Sequence, residues 1–249
     1  MNMKTPSSSS RAYSVLVCYA LTLSMVCADF VTSPNPTPPD IPGAGIFLTT
    51  SAEFSTARVQ EVHAARDFIN ASGPVLMITE ISYSAPMWSG RVPIDVTLPN
   101  IEIRMSTTLR GADGLSTTFS DNIGPDQMVV YSGPLHFYET EQELYDIHVP
   151  IAPFRYDPSA GSLLIDIFNY APLLSRRDPV WMIDGVDKLG DSVSSVGGRA
   201  TDPSGSLGSW GQVARFTYTP VPEPATWTLF SIGAIGLAII RRKSNCREG

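Results

Sequence analysis

Val75-Leu76-Met77-Ile78-Thr79-Glu80-Ile81-Ser82-Tyr83 decides the fold class of this chain. Its first half is apolar throughout and its second half alternates apolar with polar residues, which suits a strand running from the interior of a sandwich to an edge. The same period of two recurs downstream. Ile101, Ile103 and Met105 alternate with Glu102, Arg104 and Ser106, and Leu163, Ile165 and Ile167 alternate with Leu164, Asp166 and Phe168. Near the end, Ala214, Phe216 and Tyr218 oppose Val213, Arg215 and Thr217. Further strands are predicted over residues 45–50, 60–65, 92–98, 127–131, 144–149 and 180–183. Asp113-Gly114, Ser132-Gly133-Pro134, Asp157-Pro158 and the run 197–208 supply turns. No long segment carries a helical period. The expectation is an all-β, jelly-roll-like β-sandwich of about ten strands.

The two chain ends carry a different kind of signal. Lys4 and Arg11 precede a mostly apolar stretch over residues 12–26, and Val26-Cys27-Ala28 leaves small residues suited to cleavage after Ala28. Residues 1–28 are therefore predicted to be a secretory signal peptide. A lipoprotein signal at Cys27 is the rival reading, but Ser24-Met25-Val26 lacks the small residue expected beside a modified cysteine. At the other end, Val221-Pro222-Glu223-Pro224 leads into an apolar run that closes on Arg241, Arg242 and Lys243. As a helix, residues 225–240 would rise about 24 Å against a hydrocarbon core of about 30 Å, a marginal single transmembrane span. Trp227 suits one interface, and the basic cluster would stay on the cytoplasmic side, leaving residues 244–249 as a cytoplasmic tail. Pro222 and Pro224 hold the entry segment extended, so that Glu223 is presented just outside the membrane.

This tail resembles the PEP-CTERM sorting domain of Gram-negative surface proteins, over 220–243. The resemblance implies recognition of Pro222, Glu223 and Pro224 by exosortase, a membrane-embedded cysteine transpeptidase. It also makes Arg241, Arg242 and Lys243 the basic cluster that stops the chain in the membrane. A softer resemblance links Ile78-Thr79-Glu80-Ile81, the stretches 101–108 and 115–122, Val130-Tyr131-Ser132-Gly133 and Tyr156-Asp157-Pro158 to the β-sandwich bodies found upstream of such tails. That likeness supports fold and setting and implies no catalytic site.

Between the signals, residues 29–44 hold Pro34, Pro36, Pro38, Pro39 and Pro42 and are expected to form a Pro-rich linker, with the β-sandwich domain over 45–219. The chain has 24 acidic and 17 basic residues, of which only Glu223 and Glu248, but six of the basic residues, lie outside 29–220. The body thus holds 22 acidic and 11 basic residues, a net charge of −11. Nucleic acid is excluded as a partner, because phosphate binding needs a basic footprint that this balance does not supply. Cys18, Cys27 and Cys246 all fall outside the body, so disulfides and thiolate metal sites are not expected there.

No catalytic constellation stands out. Gly205-Ser206-Leu207-Gly208 and Gly208-Ser209-Trp210-Gly211 lack the spacing of a nucleophile elbow. His63, His136 and His148 are not at metal-ligand spacing. Glu139, Glu141 and Glu143 share one face if extended, although a solvated acidic loop is the plainer reading. Asp184, Asp187 and Asp191, with Asp178 before them, form the best acidic cluster and a candidate structural Ca²⁺ site, against the alternative of a polar connection. Trp88, Trp181 and Trp210 with Tyr83, Tyr131 and Tyr138 could line a glycan surface, although core packing is the commoner use of such rings. The chain is expected to be a non-enzymatic protein, exported through the inner membrane, anchored, then retained at the cell surface or in an exopolysaccharide or biofilm matrix. The alternative is a carbohydrate-binding or carbohydrate-active module.

Overall fold

The structure is a computed structural model that describes residues 28–35, 45–46, 56–84, 94–139, 145–171, 182–183 and 185–221. Its strands are β1 (Asp29–Ser33), β2 (Gly45–Ile46), β3 (Ala57–His63), β4 (Leu76–Tyr83), β5 (Ile94–Thr108), β6 (Met128–Glu139) and β7 (Ile147–Tyr156). They continue with β8 (Ser162–Asn169), β9 (Met182–Ile183), β10 (Gly185–Asp187), β11 (Val193–Gly198), β12 (Ser206–Gly208), β13 (Trp210–Gln212) and β14 (Ala214–Pro220). A four-stranded sheet in the order β1-β14-β4-β7 faces a six-stranded sheet in the order β12-β11-β3-β8-β5-β6. β2 pairs with β9, and β10 with β13, in two small ribbons.

The order of the eight principal strands has a simple logic. The first of them pairs with the last (β1 with β14), the second with the seventh (β3 with β8), the third with the sixth (β4 with β7) and the fourth with the fifth (β5 with β6), all antiparallel. One long hairpin folded over itself gives that set of pairings, which is the jelly roll expected from the sequence. The core lies between the sheets. Leu76, Ile78, Ile81, Val149, Phe154 and Phe216 from one meet Ile101, Ile103, Met105, Leu163, Ile165 and Ile167 from the other.

Two strands differ from the sequence reading for one physical reason. A β-bulge in β4 between Ile78 and Glu80 switches the phase of the pleat, so Leu76 and Ile78 before it and Ile81 and Tyr83 after it all face inward. The mixed pattern of 75–83 records this phase switch; β4 is an interior strand between β14 and β7 and does not run to an edge. In β5 a second bulge, between Leu98 and Ile101, does the same. Residues 92–98 and 101–106 were expected as separate strands, but β5 is continuous across the bulge. Ser132-Gly133-Pro134, expected to be a turn, lies inside β6 opposite that bulge, with Gly133 at φ 146°. Pro134 is tolerated because β6 is an edge strand, and Pro150 and Pro153 mark β7, the edge of the other sheet, in the same way.

Residues 29–33 also depart from expectation. They form β1, register Asp29 against Tyr218, and bury Val31 and Ser33, so the Pro-rich segment begins only after a strand that belongs to the sandwich. Every residue of β8 is buried, because the segment 109–127 covers the outer face of the six-stranded sheet. Leu115 and Phe119 from that segment pack on Val62, Leu164 and Val196. It runs so close to β5 that a Cβ at Gly124 would come within 1.8 Å of the Thr107 carbonyl oxygen.

Candidate functional site

The two chain ends of the body meet at one end of the sandwich. β14 finishes at Pro220, and the next amide, Val221 N–H, donates to the Val75 carbonyl at 2.9 Å. The Tyr218 hydroxyl accepts from the Ser72 amide at 2.9 Å and donates to Asp29 Oδ2 at 3.2 Å. Ser72 Oγ donates to the same carboxylate oxygen at 3.2 Å. The Phe30 amide, followed by the Ser72 hydroxyl, holds the Asp29 carboxyl below its usual range. Gly73, at φ 104°, lies against Pro220, where a Cβ would come within 3.1 Å of the proline ring. The first strand, the last strand and the loop 64–75 are thus clasped where the chain leaves the body.

Residues 220–243 match the PEP-CTERM protein-sorting motif. The match begins on the last residue of β14, so sandwich and motif share Pro220 with no linker between them. PEP-CTERM signals are recognised by exosortase, a membrane enzyme, and the motif implies export and processing at the membrane. Comparison with curated proteins and with solved structures gives no match to the chain. Pro222, Glu223, Pro224, Arg241, Arg242 and Lys243 lie outside the described residues, as do the apolar run 225–240 and residues 1–27 of the stretch 1–28 expected to be a signal peptide. Among the described residues, no helix is long and apolar enough to cross a membrane.

The acidic cluster resolves into separate local roles. Asp187 Oδ1 accepts from the Ser209 hydroxyl, and Asp191 Oδ1 accepts from the Val193 amide at 3.0 Å. Burial, more than any neighbouring charge, pushes the Asp191 carboxyl up. Asp184 and Asp178 lie outside the described residues, and among the described residues no three His, Cys, Asp or Glu side chains form a metal-binding group. The aromatic residues of the expected glycan surface that are described differ in setting, and Trp210 is half-buried in β13. Tyr83 is fully buried, Tyr131 is half-buried with its hydroxyl donating to the Pro134 carbonyl, and Tyr138 is exposed beside His136. Trp88 and Trp181 lie outside the described residues.

The histidines have three different settings. His136 pairs with Asp95 at 2.8 Å on the surface. His148 Nδ1 sits 3.0 Å from Glu80 Oε1. Burial opposes ionisation of Glu80, but contacts from His148 and Ser82 outweigh it and hold the carboxyl below its usual range. His63 is wholly buried on the inner face of β3, in a cluster that sequence reasoning missed. Ser33 Oγ donates to Asp67 Oδ2 at 2.6 Å, so its lone pairs receive His63 Nδ1–H at 3.0 Å. His63 Nε2 then faces Glu61 Oε2 at 3.8 Å, and neither atom has a hydrogen-bond partner. Glu61 Oε1 accepts from the Gln212 amide.

This set contains the residue types of a serine triad wired differently. The serine gives its proton straight to a carboxylate and not to the imidazole, and Ser33, Glu61 and His63 have no solvent exposure. No nucleophile is activated, and the arrangement is a structural network at the corner where β1, β3 and the 3-10 turn Ala65–Phe68 meet. One sequence signal could have found it: Glu61 and His63 fall in phase with Ala57 and Val59 on the core face of β3, where polar residues need partners.

Proposed function

We propose that this chain is a non-catalytic surface or matrix protein, a jelly-roll body delivered by its PEP-CTERM tail and held in an exopolysaccharide or biofilm matrix. The observation that carries this reading is the direct continuity of β14 with the matched motif, which makes the whole sandwich the cargo of the sorting signal. Exosortase is the processing partner, and Glu223 is the side chain it reads between two prolines. Mass spectrometry of the protein from fractionated native-host cells tests this by comparing wild type with Glu223→Ala. Loss of the tail in wild type alone supports sorting; an intact C-terminus in both sinks it.

A second reading, glycan binding, is favoured by one patch. Tyr170, partly exposed, stacks on Phe168 at 5.6 Å and 15°, with the Arg104 guanidinium 4.7 Å from the Phe168 ring. An exposed ring flanked by charge suits sugar stacking. Retention of the protein on a polysaccharide column, lost in Tyr170→Ala, is the outcome that would favour it.

A further inference from the structure

The segment 109–127 covers only part of the outer face of the six-stranded sheet. At its margin Phe119 lies on the Arg58 guanidinium, which lies in turn on Phe168. Next along β8 comes Tyr170, stacked on Phe168 and 38% exposed. A second exposed ring stands on the same face. Leu135 and Phe137 of β6 belong to the core, so alternation turns His136 and Tyr138 outward, and Tyr138 is 55% exposed. The Tyr170 amide donates to the Asn100 carbonyl at 3.0 Å, whereas Tyr138 is the register partner of Asp95. Positions 100 and 95 of β5 are separated by about 16 Å at about 3.3 Å per residue, and β8 and β6 flank β5 on opposite sides. Thr97, Pro99 and Asn100 are exposed between the two rings.

Both rings are held in place by their neighbours. Phe168 backs Tyr170, and Arg104, which donates to Glu102 at 2.6 Å, lies 4.7 Å from the Phe168 ring. His136 packs beside Tyr138 at 5.9 Å and is itself paired with Asp95 at 2.8 Å. A ring already oriented loses little rotamer freedom on binding, and an exposed tyrosine offers an apolar face with a polar tip. The basic side chains of this face are already matched by carboxylates: Arg58 by Asp166, Arg104 by Glu102 and His136 by Asp95. An anionic sugar would have to displace one of those carboxylates, and the net charge of −11 on the body opposes a polyanion as a whole. An uncharged chain meets neither cost.

We infer that the outer face of β5, with the flanking parts of β8 and β6, binds a neutral linear polysaccharide, Tyr170 and Tyr138 each stacking on a sugar ring while Thr97 and Asn100 bond the hydroxyls between them. The inference rests on the glycan-binding reading of Tyr170 and deepens it. One ring suits one sugar. Two fixed rings at this spacing, farther apart than a single sugar can span, suit the interior of a chain.

The test is native gel electrophoresis of the full-length chain in a detergent without sugar headgroups. Gels are cast with neutral polymers (soluble β-glucan, galactomannan and dextran) or with acidic alginate. The expected result is retardation by at least one neutral polymer and none by alginate. Affinity should fall about tenfold in Tyr170→Ala and about tenfold in Tyr138→Ala, and be kept in Tyr170→Phe and Tyr138→Phe, which retain the ring. In calorimetry on the wild-type chain, a hexasaccharide cut from the retarding polymer should bind at least about tenfold more tightly than the disaccharide, because only the longer ligand reaches both rings. Retardation that depends on Tyr170 alone, with the two oligosaccharides binding equally, overturns the inference and leaves the single-ring reading standing. Retardation by alginate as strong as by any neutral polymer overturns the neutral ligand. Binding lost in the phenylalanine variants as fully as in the alanine ones overturns ring stacking. Retardation that neither alanine variant weakens, or none by any polymer, removes the glycan reading and the inference together.

Discussion

Strand β3 carries two buried polar clusters back to back. On its outer face, Arg58 meets Asp166 through two hydrogen bonds of 2.9 and 2.6 Å, Gln60 donates to the same carboxylate at 2.9 Å, and Asn122 donates to Gln60. Phe119 and Phe168 cover the guanidinium at 4.3 and 4.5 Å. On the inner face, Glu61 and Asp67 have no Arg or Lys partner among the described residues, and Glu61 Oε2, His63 Nε2 and Asp67 Oδ1 lack hydrogen bonds. Alternation along one strand put polar groups on both faces; charge compensation separates them. The outer cluster can hold the covering segment 109–127 in one place, whereas the inner one leaves unmet demand inside the core.

The largest effect is expected on the outer face. Asp166→Ala leaves Arg58 buried without its counter-ion and should cost about 3–5 kcal/mol in urea unfolding. A cost under about 1 kcal/mol would mean that the two clusters do not differ in the way described. On the inner face the sign reverses. Glu61→Gln keeps the oxygen that accepts from Gln212 and places an amide N–H toward the lone pair of His63 Nε2, so stability should rise by about 1–3 kcal/mol. A loss of stability in the same assay would show that Glu61 Oε2 already accepts a proton from His63 Nε2.

A smaller effect separates the clusters by pH. Burial, and then the charge of Glu61, push the Tyr83 hydroxyl well above the ordinary value of 10.0. The unfolded chain loses this proton near pH 10 while the folded chain keeps it. Stability from this group is therefore intact below that point and falls as pH rises beyond it. Tyr83→Phe should flatten the alkaline slope of the urea midpoint, with part of the slope remaining because burial also raises Tyr156. The smallest effect is the surface reference. Glu80, held below its value of 4.5, stabilises the fold above that pH and loses the contribution as pH falls through its lower folded value. Because the Glu80–His148 pair is partly solvated, Glu80→Gln should shift stability by less than about 1 kcal/mol at neutral pH.

The sequence reading was good where local period and core face coincide. β8 and β14 were legible because Ile165, Ile167 and Phe216 alternate without interruption, and the sorting motif was legible because prolines, apolar run and basic cluster are contiguous. Bulges defeated the reading elsewhere. At Ile78 and Leu98 an extra residue resets the phase, so a continuous strand looked like a mixed pattern in one case and like two strands in the other. β1 was hidden by its prolines, since Pro34 and Pro36 gave no hint that Val31 and Ser33 would be buried against β14. Of the inner cluster only Glu61 and His63 could be read from their phase on β3; their partners Ser33 and Gln212 are brought to them only by the closure of the roll.

The pairing of β1 with β14 has a consequence for timing. Asp29 and Tyr218 are 189 residues apart in sequence yet share a hydrogen bond, a contact of very high sequence separation. A chain secreted with its N-terminus leading brings β1 out first and must leave that edge unpaired until β14 follows. The strand that shuts the roll and the motif that addresses it therefore emerge as one piece, and delivery of the sorting signal is synchronised with completion of the cargo.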